Sequence, residues 1–266
     1  MSEPCDDSPK GPTGPQLPGE SPFAPRCPFA EYYRPPRLGI IHLLAWTAAT
    51  AVLLKFSMAM DMIGSTGGST APVSAFQQVL GLIYSMTHAA ELVGTAVLLL
   101  AKSRGLPGRF QPGHWLVLVA TVTWLLFGLI LFLWLLAVRA GFSDYSTTSW
   151  FLVLGGLTAV LCGGVYFYLT LASKDGRRWK TCFGVLAVAE LMRGLSCLGS
   201  SLFGMSWLLD FFVLGCLIVT PTILVIVVVD LRRGPRRDWL HWVGPTMIGI
   251  GALVTVASWL WSTLAK

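Results

Sequence analysis

Charged residues are scarce in this chain. They make up 12% of 266 residues, against roughly 25% in a soluble domain. So few charges cannot cover an ordinary globular surface with water-seeking groups, and with 54% hydrophobic residues they point to a membrane protein. Paired cysteine motifs are missing too. The six cysteines stand at 5, 27, 162, 182, 197 and 216 with no Cys-x-x-Cys spacing. That pattern offers neither a zinc site nor a disulfide framework, so the thiols are expected to be reduced. The net charge is +6, but the basic residues sit at the ends of apolar runs. Membrane topology explains them better than a nucleic-acid surface does.

Enzyme signatures are also lacking. His88-Ala89-Ala90-Glu91 is not the two-histidine HExxH arrangement that a zinc protease needs. Gly199-Ser200-Ser201 fits neither the GxSxG elbow nor the GxSG pattern of rhomboid-type proteases. Ala189–Arg193 lacks the second Glu of the EExxxR motif of CAAX-type intramembrane proteases, and its Arg comes one residue early. No P-loop or dinucleotide fingerprint occurs, and no internal repeat marks a transporter site. The reading is of a non-enzymatic protein with no predicted cofactor.

Residues 1–37 contain ten of the sixteen prolines, with Gly, Ser and acidic residues between them. Such a stretch buries too little apolar surface to offset its ordering entropy, so a disordered tail is expected. Its PxxP spacings also suit proline-binding modules, a composition that arises easily in Pro-rich sequence. It lacks the basic start and apolar centre of a cleavable signal peptide.

Seven apolar runs follow, at about 38–60, 75–101, 114–138, 149–173, 181–203, 207–230 and 239–263. Each has the roughly 20 residues that cross a hydrocarbon core as a helix. The predicted fold is therefore an all-α bundle of seven transmembrane helices, residues 38–263, behind the tail 1–37. Lys and Arg alternate across the connections. The tail, the second, the fourth and the sixth loops carry fifteen, whereas the first, third and fifth loops and the C-terminus carry two. By the positive-inside rule the N-terminus is cytosolic and the C-terminus lies outside. The tally also supports the span 181–203, which holds Glu190 and Arg193. Without it, the basic segments 174–180 and 232–237 would fall on opposite sides. Trp115, Trp134, Trp150, Trp207, Trp239, Trp242, Trp259 and Trp261 cluster near span ends as an aromatic belt.

Gly155, Ala159 and Gly163 repeat every four residues, which predicts close approach of the fourth helix to a neighbour. Pro221 and Pro245 are expected to kink or loosen the sixth and seventh helices. The third span carries no charge between Trp115 and Val138, so broad lipid contact is expected there.

The second span carries the main polar signal. Gln77, Gly81, Tyr84, His88, Glu91 and Thr95 recur at steps of three and four, on one side of a helix. A charge at mid-bilayer costs roughly 2.5–3.5 kcal/mol on the lenient insertion scale, so this stripe should face protein or water. The fifth span runs the other way and holds Glu190 and Arg193. In the predicted topology His88 and Arg193 lie just outward of the midplane, with Glu91 and Glu190 just inward. If the two faces meet, Arg193 pairs with either acid and His88 bonds a carboxylate. One reading is a buried ion-pair network that sets helix docking. The other is a proton or ion relay, or a polar substrate pocket.

Weaker signals complete the survey. Lys55 is expected to snorkel outward towards Asp61 or Asp210. His42 and His241 lie at comparable depth on the first and last spans, a placement that would suit a b-type haem. His114 also sits near a span end, where histidine is ordinary. The clusters KDGRRWK (174–180) and RRGPRRD (232–238) offer Lys174, Arg177, Arg178, Arg232, Arg233, Arg236 and Arg237 to anionic lipid headgroups or a cytosolic partner. Positive-inside charge alone also accounts for them.

The Pro-rich tail running into RPPRLGIIHLLAWTAATAVLLKF (34–56) resembles the N-termini of uncharacterised multi-pass membrane proteins from planctomycete-type bacteria. The resemblance covers about a tenth of the chain. It implies a bacterial inner (cytoplasmic) membrane and no particular activity. Three functions are expected in order: a non-enzymatic accessory or assembly subunit, a small transporter or ion conductor using the mid-membrane cluster, and a haem-binding redox protein.

Overall fold

The computed structural model describes residues 39–64, 75–104, 110–141, 145–173, 176–204, 209–233 and 237–264, with side chains of 56–64, 145–148, 209 and 233 left aside. The predicted tail 1–37 lies outside the described residues. These form seven helices: α1 (Ile40–Gly64), α2 (Ala75–Ser103), α3 (Pro112–Arg139), α4 (Tyr145–Ala172), α5 (Gly176–Phe203), α6 (Leu209–Arg233) and α7 (Trp239–Leu264). Six of them are long and apolar enough to cross a membrane, and the stretch Ile40–Lys55 of α1 is a shorter apolar segment. The helices overrun most of the predicted apolar bounds by a few residues. Helical hydrogen bonding need not stop where the hydrocarbon ends, and α5 draws Arg177, Arg178 and Lys180 of the basic loop into its first turns.

Helix neighbours define the arrangement. α3, α4, α5, α6 and α7 each pack on the next, and α7 returns to α3. α2 lies against both α3 and α7, and α1 packs on α2. A Cβ added at Gly94 of α2 would touch Val117 of α3 and Leu240 of α7, which places α2 in the groove those two helices make. One end of the bundle gathers the starts of α3, α5 and α7, where Gly113, Trp179 and His241 meet, with Asp230 at the close of α6 beside them. This end also carries the exposed Arg104, Arg177, Arg178 and Arg232, and is called the basic end below.

The interior is built from Leu116, Tyr166, Trp179, Phe183, Leu186, Val219, Ile223 and Ile226. Outward faces are equally apolar: Leu161 is 68% exposed, Leu195 65% and Leu224 62%. Contiguous apolar exterior on this scale is intolerable in water and ordinary in lipid.

The α4–α5 seam depends on missing side chains. A Cβ on Gly156 would lie 3.0 Å from the Gly194 carbonyl oxygen, and one on Gly194 would lie 2.9 Å from that of Gly156. A Cβ on Gly163 would meet the Ala187 carbonyl at 3.2 Å. Gly156 and Gly163 are seven apart, as are Ala187 and Gly194. Two turns return nearly to the same face, so the four make one close-packed strip. The predicted stripe of Gly155, Ala159 and Gly163 is thus offset. Gly155 turns towards Phe127 of α3, because steps of four drift around the helix whereas a step of seven hardly does.

α3 meets the expectation of broad exposure in its second half, where Val122, Leu125, Leu126, Leu129, Phe132, Leu133 and Leu136 point outward. Its first half buries Leu116, Val117, Val119 and Thr121 among α2, α4 and α7. An uncharged helix suits a protein core as well as lipid, so lack of charge does not choose between them. Pro221 and Pro245 lie inside α6 and α7, which continue as helix on both sides.

Replacing Gly194 by Leu is expected to part α4 and α5 and destabilise the protein by at least about 1–3 kcal/mol. Thermal unfolding in detergent, followed by circular dichroism, checks this. Gly128→Leu is the control, since a Cβ there meets nothing within 4 Å and the melting temperature should hardly change.

Candidate functional site

The stripe on α2 is buried progressively. Gln77 is exposed, Tyr84 is 43% exposed and Glu91 is 3% exposed. His88 Nδ1 lies 2.8 Å from Glu91 Oε2, the reach that helical spacing of three allows. The His88 ring takes the edge of Tyr84 at 4.2 Å and stacks on Trp124 of α3 at 5.1 Å. One turn on, the hydroxyls of Thr95 and Thr121 are 2.8 Å apart and tie α2 to α3. The face predicted to avoid lipid does so from Ser85 onward.

On α5 the equivalent pair is Glu190 and Arg193. Arg193 Nη2 stands 2.6 Å from Glu190 Oε2, and both side chains are 23% exposed. The guanidinium lies over the Phe212 ring of α6 at 6.0 Å. Each acid therefore closes on a base of its own helix. Tyr84 is in electrostatic reach of Glu91 and Arg193, and Tyr166 of Glu91 and Glu190. The two pairs do not bond directly. Among the described residues no hydrogen bond or ion pair joins α2 to α5, and the two helices share no extended seam. The direct Arg193–Glu91 contact conceived from matching depth is not made, because α3 and α7 stand between the two helices.

A second polar cluster lies at the basic end, and sequence reasoning missed it. Asp238 precedes α7 and accepts the backbone N–H of His241 through Oδ1 at 2.8 Å, a helix cap. The same Oδ1 is 2.9 Å from His114 Nε2 on α3. Gln111 N–H donates to His114 Nδ1 at 3.3 Å, and Gly113 N–H donates to His241 Nδ1 at 3.1 Å. With each Nδ1 accepting, the proton of each neutral ring sits on Nε2. His114 thus donates to Asp238, and His241 aims Nε2–H at Asp230 Oδ2, 3.6 Å away. Arg237 Nε donates to that same Oδ2 at 3.3 Å. His114, His241, Asp230 and Asp238 are all buried.

Backbone geometry explains why α3 and α7 can come so close. A Cβ on Gly113 would run into the His241 carbonyl, and a Cβ on Gly244 into the Gly113 carbonyl. Pro245 stands four residues after His241 and has no N–H to donate back to it. The His241 carbonyl is thereby released from the helix ladder and turned to Gly113.

Burial opposes ionisation of Asp238, but the hydrogen bonds from His114 and from the His241 N–H outweigh it, holding the carboxyl below its usual range. The legible signal was Asp238 itself, an acid just ahead of an apolar run, which marks a helix start. Its pairing with His114, 124 positions away, left no local trace.

The remaining predicted residues divide as follows. His42 does not combine with His241 as a haem site: His42 Nδ1 accepts from Gly39 N–H. His241 is fully buried, bonded through Nδ1 and set against Trp179 and Trp242. Lys55 is exposed, and Asp210 accepts from Trp259 Nε1 at 3.1 Å. The Asp61 side chain lies outside the described residues. Of the basic clusters, Arg177, Arg178 and Arg232 are exposed. Arg237 instead turns inward to Asp230, which withdraws it from a headgroup role. Lys174, Arg236 and the Arg233 side chain lie outside the described residues. Cys162, Cys182, Cys197 and Cys216 are free. No group of three or more His, Cys, Asp or Glu suited to a metal occurs among the described residues.

The fold and these clusters define an α-helical multi-pass membrane protein with buried charged residues. No protein-family model, curated protein or solved structure matches the chain.

The depressed carboxyl of Asp238 fixes the sign of a pH effect. An acid with a lowered folded pKa contributes stability above its unfolded value, about 4. That contribution is lost as pH falls through the folded value. Wild-type melting temperature should therefore fall more steeply below about pH 4 than that of Asp238→Asn. At neutral pH the Asn variant should be the less stable, because it loses a charged cap and a charge-assisted bond to His114. Melting curves of both proteins in detergent from pH 3 to pH 7 check both points.

Proposed function

We propose that this protein is a non-enzymatic membrane component, an accessory or assembly subunit whose buried charges are closed upon themselves to keep the helices in place. The proposed topology has seven spans, a cytosolic N-terminus and an external C-terminus, with the basic end in the cytosol. A bacterial cytoplasmic membrane follows from the resemblance of its N-terminal region to planctomycete-type multi-pass proteins. The observation that carries the reading is local closure: Glu91 bonds His88, and Glu190 pairs with Arg193, each within one helix. A balanced pair contributes little net stability but is costly to break on one side.

A second reading is a small transporter or ion conductor that uses His88, Glu91, Glu190 and Arg193. It draws on two buried nitrogens, His88 Nε2 and Arg193 Nε, which have no hydrogen-bond partner among the described residues. Such spare capacity suits a polar solute or a proton step.

The two readings separate experimentally. For a scaffold, Glu190→Gln leaves Arg193 unpaired and lowers stability by about 1–3 kcal/mol, less than the roughly 3–5 kcal/mol of a fully buried pair because this pair is partly exposed. Adding Arg193→Met should restore most of that loss. Proteoliposomes of wild type should dissipate a pH or potassium gradient no faster than protein-free vesicles. A wild-type flux that vanishes in the stable double variant would replace the scaffold by the transporter.

A further inference from the structure

A groove of about 480 Å³ runs along the membrane-facing side of α4, α5 and α6. Lys180, Gly184, Val188 and Met192 of α5 form its floor at steps of four, one stripe of a helix. Thr170 of α4 closes one side, and Gly215 and Ile218 of α6 the other. We propose that this groove is a specific site for one anionic phospholipid, with an acyl chain along α5 and the phosphate at Lys180.

Three observations fix that chemistry. First, the walls offer almost no hydrogen bonding. The Thr170 hydroxyl donates to the Tyr166 carbonyl at 2.9 Å, and the Thr181 hydroxyl to the Arg177 carbonyl at 3.0 Å. Both are turned back on their own helices, so the occupant's body is apolar. Second, the one charge in the lining is Lys180, at the basic end. No ion pair or hydrogen bond engages it among the described residues, and exposed Arg177 stands one turn beyond. The occupant thus has an anionic head at that end. Third, the length fits. From Lys180 to Met192 the helix rises about 18 Å, against about 15 Å for half a hydrocarbon core. Val188 and Ile218 of the lining are 56% and 52% exposed, so the groove opens sideways to the layer that supplies such a molecule. Gly184 leaves the space: a Cβ there would meet only the Thr170 side chain, at 3.8 Å.

The test is native mass spectrometry of the full chain from detergent containing equal phosphatidylglycerol and phosphatidylcholine of matched chain length. The expected result is retention of one phosphatidylglycerol in preference to phosphatidylcholine. Lys180→Ala should lower that preference about fivefold, the effect of one lysine near an anionic surface. Gly184→Leu, which fills the groove, should abolish retention of both. Circular dichroism and melting temperature in lipid-free detergent establish that each variant is folded. A variant that unfolds is replaced by Lys180→Gln or Gly184→Val, and the same losses are required of those. Equal retention of the two lipids by wild type overturns the proposal. So does unchanged phosphatidylglycerol retention in either folded variant. A shift of a wild-type dimer to monomer in Gly184→Leu also overturns it, since a second copy of the chain would then fill the groove.

Discussion

Polar groups that enter an apolar layer must find partners within reach, and in this protein the nearest partner is usually on the same helix. His88 closes on Glu91, and Arg193 on Glu190, both at a spacing of three. Thr87, Thr158, Thr170, Ser196, Thr220 and Thr255 each return a hydroxyl to the carbonyl four residues back. An unpaired polar atom in such surroundings costs several kcal/mol. Local closure allows a helix to enter the membrane with its polar residues already accounted for. Association of helices is then left mainly to shape.

Shape acts where side chains are absent. The α4–α5 strip and the α3–α7 crossing both bring backbone against backbone, with glycine at each contact. At the crossing the arrangement couples to chemistry. Gly113 and Gly244 allow the approach, Pro245 frees the His241 carbonyl, and the approach lets Gly113 N–H reach His241 Nδ1. Asp238 then serves two helices at once, capping α7 and accepting from His114 of α3. The long-range polar links, Thr95 to Thr121 and Asp238 to His114 among them, add direction to contacts that packing alone would leave free to slide.

Much of the fold was legible because the apolar layer filters sequence so strongly. All seven runs became helices, and the span 181–203, with Glu190 and Arg193 inside it, proved to be part of one continuous helix of 28 residues. Within the candidate site, the α2 stripe and both acid–base pairs were legible, since a spacing of three or four has one meaning on a helix. The buried first half of α3 and the offset stripe of α4 were not legible, for a common reason. Apolar side chains satisfy a core and a lipid layer equally, so composition carries little information on which way a membrane helix is turned.

The sequence alone determined where the chain becomes helical and which ionisable residues enter the apolar layer, because both follow from hydrogen bonding and transfer cost along a single helix. Tertiary structure alone decided that α3 and α7 stand between α2 and α5, and that His114 meets Asp238. Such pairings depend on how each helix is rotated and which neighbour it takes. Those choices are made by close backbone packing at a few glycines, far apart in the chain.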